Sequence, residues 1–213
     1  MNSKKRLLLL IPIIGLIVFM ILHVVAAILY PRGSHEHPDE KGFSILYNYW
    51  CDLQNTTALN GMPNPASPVA ISALIVLCIS GAFLCWYMPM FFVVPSRIHK
   101  YIQYSGVLAC AFGILMFTDF HDAIISISGL FLSICFVLAF IEMRKQKEWN
   151  LIRFGMACFT MGIINYVMFV LKAGLQFLPM IEKITFLCYF IWVGWINIEI
   201  YKRVKLRDAN VMN

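Results

Sequence analysis

Six long apolar runs dominate this sequence and leave few folds open to it. They cover residues of about 7–30, 68–94, 101–118, 123–143, 152–172 and 184–201. About 18 apolar residues in a helix, at roughly 1.5 Å each, cross about 30 Å of hydrocarbon. With 61% hydrophobic and 13% charged residues, the chain carries more apolar surface than a soluble domain of 213 residues can bury. The sequence therefore predicts an all-α bundle of six transmembrane helices, forming one integral membrane domain.

The placement of basic residues predicts the orientation of the bundle. Of the 17 Lys and Arg residues, 13 lie in segments on the same side as the N-terminus, and the others lie in links on the opposite side. Cytoplasmic segments carry such an excess, so both termini are expected in the cytoplasm. The net charge of +6 thus follows from membrane topology and gives no reason to expect nucleic acid as a partner.

The first apolar run has an alternative interpretation as a cleaved signal peptide. Lys4, Lys5 and Arg6 precede it, and Ala26 and Ala27 offer small residues for a cleavage site. The run is nevertheless longer than the apolar part of a typical signal peptide, which has about 7–15 residues. A transmembrane helix is therefore the favoured interpretation.

The cysteines give no sign of a disulfide framework or a zinc knuckle. Six of the seven fall inside predicted spans, where they act as small apolar packing residues, and only Cys51 lies outside. No paired Cys or Cys/His ligand spacing is present. On the predicted outer side, Asn55-Thr56-Thr57 fits the N-glycosylation acceptor pattern, which also arises often by chance.

Residues 31–67 form the only long link, which is too small for a hydrophobic core of its own and is expected to pack on the outer helix ends. Within it, residues 43–55 show helical spacing. The apolar face carries Phe43, Leu46, Tyr47, Trp50 and Leu53, and the polar face carries Ser44, Asn48, Cys51, Asp52 and Asn55. The pattern predicts a short amphipathic helix lying at headgroup level. Its polar face points either to water or down onto the mouth of the bundle.

Five ionisable residues are predicted to face one outer vestibule. His23 falls in the outer third of the first span, Asp52 lies on the amphipathic helix, and Asp119, His121 and Asp122 crowd the link between the third and fourth spans. Ionisable groups at membrane depth are costly, so each is a candidate site residue. Asn48 joins them on the face of Asp52.

Two interpretations of this vestibule remain open. His121, Asp122, Asp52 and His23 could hold a divalent metal that activates water, or could act as acid and base. Alternatively, Asp119 or Asp122 caps the fourth helix, and the histidines pack or meet hydrated headgroups. His35 and His37 could bind metal but are expected to point into water.

Elsewhere the sequence offers little chemistry. Asn165 lies inside the fifth span, where its amide needs partners at membrane depth. Phosphate loops, nucleophile elbows and dinucleotide fingerprints are all absent, which excludes most soluble enzyme classes.

Several short motifs resemble a known family of membrane proteins. They are Tyr30-Pro31-Arg32-Gly33-Ser34, Gly42 with Ser44, Asn48 with Cys51-Asp52-Leu53, Asn64-Pro65, and Phe117 through His121. Together they resemble the family named domain of unknown function 998, and more distantly the Frag/DRAM/Sfk membrane proteins. The resemblance implies six spans, a bacterial-type plasma membrane, a His near the outer end of the fourth span, and no settled activity.

The leading functional hypothesis is non-enzymatic. It holds that the protein binds a lipid, a small amphiphile or a partner protein at its outer vestibule. The alternative is a membrane-embedded, metal-dependent hydrolase that uses the four candidate residues above. A small transporter is a weaker hypothesis, because no inverted repeat or pair of broken helices is visible.

Overall fold

The computed structural model describes residues 6–212, and the side chains of residues 6–210. Its six long helices, numbered α1 to α6, are Ile11–Leu29, Ser67–Tyr87, Ile98–Gly113, His121–Lys145, Trp149–Leu171 and Leu178–Met212. Short 3-10 helices cover Leu8–Leu10, Trp50–Gln54, Met88–Phe91 and Ile114–Phe117. Lys4 and Lys5 of the predicted basic N-terminal segment lie outside the described residues.

Six of these helical segments are long and apolar enough to cross a membrane, as the sequence predicts. Large apolar side chains remain exposed along them, for example Ile28 at 77% and Leu130 at 61%. Apolar surface of this extent needs lipid as its solvent. The predicted six-helix fold is confirmed, and the chain is a multi-pass integral membrane protein.

The last helix begins earlier than the apolar run indicates. The run starts at about residue 184, whereas α6 starts at Leu178 and continues to Met212. Pro179 occupies the first turn of α6, where its missing N–H leaves no hydrogen bond unmade. As a result, Glu182 and Lys183 belong to the helix instead of to the link before it.

The helices pack in chain order and then close on themselves. Each of α1 to α5 packs on the helix that follows it, and α6 returns to α1 through a smaller contact. Where α6 meets the N-terminal segment, Nδ2 of the buried Asn197 on α6 donates to the carbonyl of Leu9 at 2.9 Å. We call this end of the bundle the terminal end, and the end that carries residues 31–66 the loop end.

Most of the buried core lies toward the terminal end. Trp192 is its largest member, 1% exposed, and its Nε1 donates to the carbonyl of Leu151 at 2.9 Å. Gly155 makes room for this indole, because a Cβ there would lie 2.5 Å from the Trp192 ring. A smaller cluster at the loop end consists of Ala26, Tyr30, Leu53, Ala58, Ala66 and Ala70. It joins α1 and α2 to the long link above them.

Candidate functional site at the loop end

Residues 31–66, which we call the lid, fold over the loop end with their polar groups turned inward. The helix predicted over residues 43–55 is much shorter, since only Trp50–Gln54 is helical and forms a 3-10 turn. Asn48 is 0% exposed and Asp52 4%, while Leu46 of the predicted apolar face is 47% exposed. Three residues of the polar face, Ser44, Asn48 and Asp52, therefore point into the protein, where they hydrogen-bond within the lid instead of facing water.

Asn48 is the central residue of the lid. Its Oδ1 accepts a hydrogen bond from the Ser44 backbone N–H at 2.8 Å. Its Nδ2 donates to the carbonyl of Gly33 at 3.0 Å and to Oδ2 of Asp52 at 3.2 Å. Gly33 has φ of +93°, a conformation that favours glycine, so the first turn of the lid depends on this residue type. One buried amide thus joins three separate parts of the lid.

Asp52 is held by donors on three sides. Besides Asn48, the backbone N–H of Tyr49 donates to its Oδ2 at 2.8 Å, and Nε2 of His35 lies 3.3 Å from the carboxylate. The carboxylate raises the pKa of His35, which favours the imidazolium form. His35 therefore pairs with Asp52 while its side chain stays 43% exposed, so it meets both the carboxylate and water.

Asn64 and Ser67 fix the second half of the lid to the start of α2. Asn64 donates from Nδ2 to the carbonyl of Asn55 at 2.7 Å and to that of Leu53 at 3.2 Å. Ser67 donates from its hydroxyl to the carbonyl of Gln54 at 2.7 Å. These bonds satisfy the carbonyls at the end of the 3-10 turn, so the turn and α2 form one unit. The side chain of Asn55, the first residue of the glycosylation pattern, is exposed.

Two polar contacts attach the lid to α6 and to the link before it. Nζ of Lys183 donates to the carbonyls of Asn48 and Pro179, and lies 5.4 Å from the centre of the Phe43 ring. The hydroxyl of Tyr49 donates to the carbonyl of Leu175 at 3.4 Å. Burial raises the pKa of Tyr49 to about 12, so its hydroxyl keeps the proton that it donates.

Trp50 fills the seam between α1 and α6 at the loop end. Its ring stacks on His23 of α1 at a centroid distance of 4.7 Å, and on Phe186 of α6 at 5.5 Å. His23 is buried at 6% exposed, and this ring contact is what joins it to residues 43–55. The contact involves no carboxylate.

Glu182 lies beside Trp50, and the sequence analysis missed it. Its carboxyl lies near the backbone N–H of Trp50 and feels the charges of Lys183 and Asp52. Among the described residues, the buried Oε2 of Glu182 has no hydrogen-bond partner, and neither does the buried Oε1 of Gln54 in the same 3-10 turn. The signal was present in the sequence, because an acidic residue next to an apolar span is a candidate site residue. The predicted last span begins at about residue 184, so Glu182 falls just outside it.

Cys51 lies in the same 3-10 turn and is partly buried. Burial raises the pKa of its thiol well above the ordinary value, and the negative charges of Glu182 and Asp52 raise it further. All seven cysteines of the chain are free. Because the thiolate is the reactive form, Cys51 is expected to react slowly as long as the lid is closed.

The other predicted vestibule residues lie at a different place. Nδ1 of His121 is 3.1 Å from Oδ1 of Asp122, whose side chain is 77% exposed, and Asp119 is exposed as well. Helix α4 begins at His121 without a side-chain capping bond, so neither aspartate caps it by hydrogen bonding. α4 packs on α3 and α5, whereas His23 lies on α1, which packs on α2 and α6. The five residues thus form two groups.

No metal set is assembled from these residues. Within residues 6–212, no group of three or more His, Cys, Asp or Glu side chains is close enough to hold a metal ion. The predicted combination of His121, Asp122 and Asp52 is not brought together, because Asp52 bonds within the lid and His121 pairs with its neighbour. The arrangement around Asp52 therefore fixes a backbone conformation.

Asn165 finds one partner at membrane depth. Its Nδ2 donates to the hydroxyl of Thr185 on α6 at 2.6 Å, and that hydroxyl donates in turn to the carbonyl of Ile181 at 2.8 Å. The contact joins α5 to α6, as expected for an amide that cannot be left alone in hydrocarbon. Its Oδ1 is buried without a partner among the described residues.

The ion pair of His35 and Asp52 gives the lid a pH dependence. The pKa of His35 is raised in the folded state above its ordinary value of 6.5. The pair therefore stabilises the protein fully below pH 6.5, and this contribution is lost as the pH rises through the folded pKa. We expect the thermal unfolding midpoint to fall more on His35→Gln at pH 6 than at pH 8.5. His37→Gln, in the same loop, should show no such difference, and a larger effect at pH 8.5 would contradict the assignment.

A comparison of the chain with protein-family models, with curated proteins and with solved structures gives no match.

Proposed function

We propose that the protein binds a lipid or small amphiphile at the loop end, with the polar head under the lid and the tail in the adjoining membrane. The observation that supports this most is the carboxyl group of Glu182, which lies under Trp50 with one buried oxygen unpartnered in the described part of the chain. A buried polar atom without a partner costs about 1–3 kcal/mol. A ligand that supplies the missing hydrogen bond would recover this energy.

The unpartnered oxygens indicate the kind of head group. The unpartnered oxygens of Glu182 and Gln54 are acceptors, so the ligand must donate hydrogen bonds. A primary ammonium or a hydroxyl group fits, whereas a quaternary ammonium has no hydrogen to donate. Phe186 and Trp50 would line the site with aromatic surface, which suits the carbon atoms next to such a head.

The unequal attachment of the lid suggests how a ligand enters. The lid is joined to α1 and α2 through a buried apolar cluster and through the hydrogen bond of Ser67 to the Gln54 carbonyl. Its contacts with α6 include the donors Lys183 and Tyr49 and the stacked ring of Trp50. Opening along the side of α6 would leave the buried apolar cluster with α1 and α2 intact. It would expose the seam between α1 and α6 directly to the membrane.

The metal-dependent hydrolase has no comparable support, because its proposed ligands are divided between two groups. Residence in a bacterial-type plasma membrane, cytoplasmic termini and the resemblance to the family of domain of unknown function 998 remain predictions. The binding proposal depends on none of them.

Two lipids that differ only in their head-group donors test the proposal. The full chain is reconstituted in nanodiscs that contain equal amounts of phosphatidylethanolamine and phosphatidylcholine, and the lipids that stay bound are counted by native mass spectrometry. We expect the wild-type protein to retain phosphatidylethanolamine preferentially. Glu182→Gln should lower this preference roughly tenfold, because a charge-assisted hydrogen bond is replaced by a neutral one.

Glu36→Gln serves as the matched control, since Glu36 is an exposed acid of the lid. It should leave the preference unchanged. Equal retention of the two lipids by the wild-type protein, or an equal effect of the two substitutions, would refute the proposed site.

A further inference from the structure

A separate polar cleft lies at the terminal end of the bundle. The link between α4 and α5, the first turns of α5 and one face of α6 enclose an open space of about 500 Å³. This volume lies within the range of small-ligand sites, about 300–1,000 Å³. Two tryptophans, Trp149 and Trp195, stand at its edges and are 47% and 38% exposed.

The cleft carries two cationic side chains without acidic partners. Glu148 and Glu199 also line it, but Glu148 pairs with Arg203, and Glu199 accepts from Nζ of Lys202 at 2.9 Å. Lys147 and Arg153 are exposed and form no ion pair within the described residues. Because both acids are neutralised by α6, the cleft retains an excess of positive charge and favours an anion.

The surface below the cleft favours an anion that carries an apolar tail. Arg153, Met156 and Ile163 share one face of α5, with spacings of three and seven residues. Met156 is 54% exposed and Ile163 is 48% exposed, so an apolar strip continues from the cleft along the helix. The half-exposed tryptophans are typical of the headgroup level of a membrane. The basic side chains, the tryptophans and the apolar strip thus follow one another in the same order as the head group, the glycerol region and the acyl chain of a phospholipid.

We propose that this cleft binds the phosphate head group of an anionic lipid from the leaflet at the terminal end. Lys147 and Arg153 pair with the phosphate, Arg153 with the planar donor geometry that suits its oxygens. The indoles of Trp149 and Trp195 border the glycerol region, and an acyl chain lies against Met156 and Ile163. This site is independent of the one proposed under the lid.

Charge-matched variants of the full chain test the site. Nanodiscs contain phosphatidylglycerol and phosphatidylcholine, and native mass spectrometry measures the lipids that remain bound. We expect the wild-type protein to retain phosphatidylglycerol, and the double substitution Lys147→Gln with Arg153→Gln to weaken this binding roughly 30-fold. The control Lys100→Gln with Lys205→Gln removes the same charge from exposed positions at the same end and should weaken binding much less, because neither side chain lines the cleft.

A third measurement separates a lipid from a soluble anion. Thermal unfolding of the protein in detergent is followed with added phosphatidylglycerol and, separately, with inorganic phosphate. The proposal expects the lipid to raise the midpoint and phosphate alone to leave it nearly unchanged. Stabilisation by phosphate without lipid would make the ligand a soluble anion and would overturn the lipid assignment. Equal loss of phosphatidylglycerol in both double variants would show only general attraction to basic residues, and would overturn the site itself.

Discussion

Replacing Asn48 with alanine is expected to open the lid without unfolding the bundle. The substitution leaves the Gly33 carbonyl and the Ser44 N–H without the partner that Asn48 provides, and it removes one of the three donors to the Asp52 carboxylate. Losses of this kind cost about 1–3 kcal/mol per group, and several are made together here. Amide hydrogen exchange of residues 44–54, measured by mass spectrometry, should become roughly 30-fold faster or more.

The matched control is Asn55→Ala, which removes the same side chain from an exposed position of the lid. Exchange over residues 44–54 should then stay within about twofold of the wild-type rate. If the amides of residues 44–54 exchanged as slowly in Asn48→Ala as in the wild-type protein, the buried amide network would not be what holds the lid closed.

Truncating Trp50 to alanine is expected to cause the second large loss. The ring fills the seam between His23 and Phe186, and its removal leaves a cavity next to the buried part of Glu182. Tryptophan truncations in cores cost about 3–5 kcal/mol, and a value near the lower end is expected because Trp50 is only partly buried. The thermal unfolding midpoint of the purified protein should fall clearly.

Trp86→Ala provides the comparison, since Trp86 is 50% exposed on the outside of α2. Because the Trp86 ring is already half exposed, truncating it uncovers little buried surface. It should lower the thermal unfolding midpoint much less than Trp50→Ala does. If both substitutions lowered the midpoint equally, Trp50 could not be a packed wedge between α1 and α6.

The six helices could be predicted because a helix that faces lipid must be composed mainly of apolar residues. Residues such as Ile28 and Leu130 face outward, so apolarity extends around each helix and marks its length without knowledge of its neighbours. The order of the helices around the bundle cannot be read from their composition. For that reason, His121 and Asp52 were expected to share a vestibule, although α4 and the lid contact different helices.

The lid was misread for a physical reason. Ser44, Asn48 and Asp52 recur every four residues, which is typical of one helical face. In the structure, the same spacing arises because each residue bonds the next, from the Ser44 N–H to Asn48 and from Asn48 to Asp52. Short-range periodicity cannot separate a helix from a chain of side-chain to backbone bonds.

Glu182 was missed because hydropathy marks where a chain is apolar, and this differs from where a helix begins. Glu182 and Lys183 precede the apolar run, yet both lie within α6. The carboxyl lies near the Trp50 backbone and the ammonium donates to the Asn48 carbonyl, so the lid supplies neighbours that the sequence does not reveal.

The thiol of Cys51 offers the most direct test of the closed lid. A water-soluble maleimide is added to the folded protein and to protein unfolded in sodium dodecyl sulfate, and modification of the Cys51 peptide is followed by mass spectrometry. The raised pKa and the burial of Cys51 predict labelling more than about tenfold slower in the folded protein, and acceleration in Asn48→Ala. Equally fast labelling of the folded and unfolded wild-type protein would contradict a lid closed over the seam between α1 and α6.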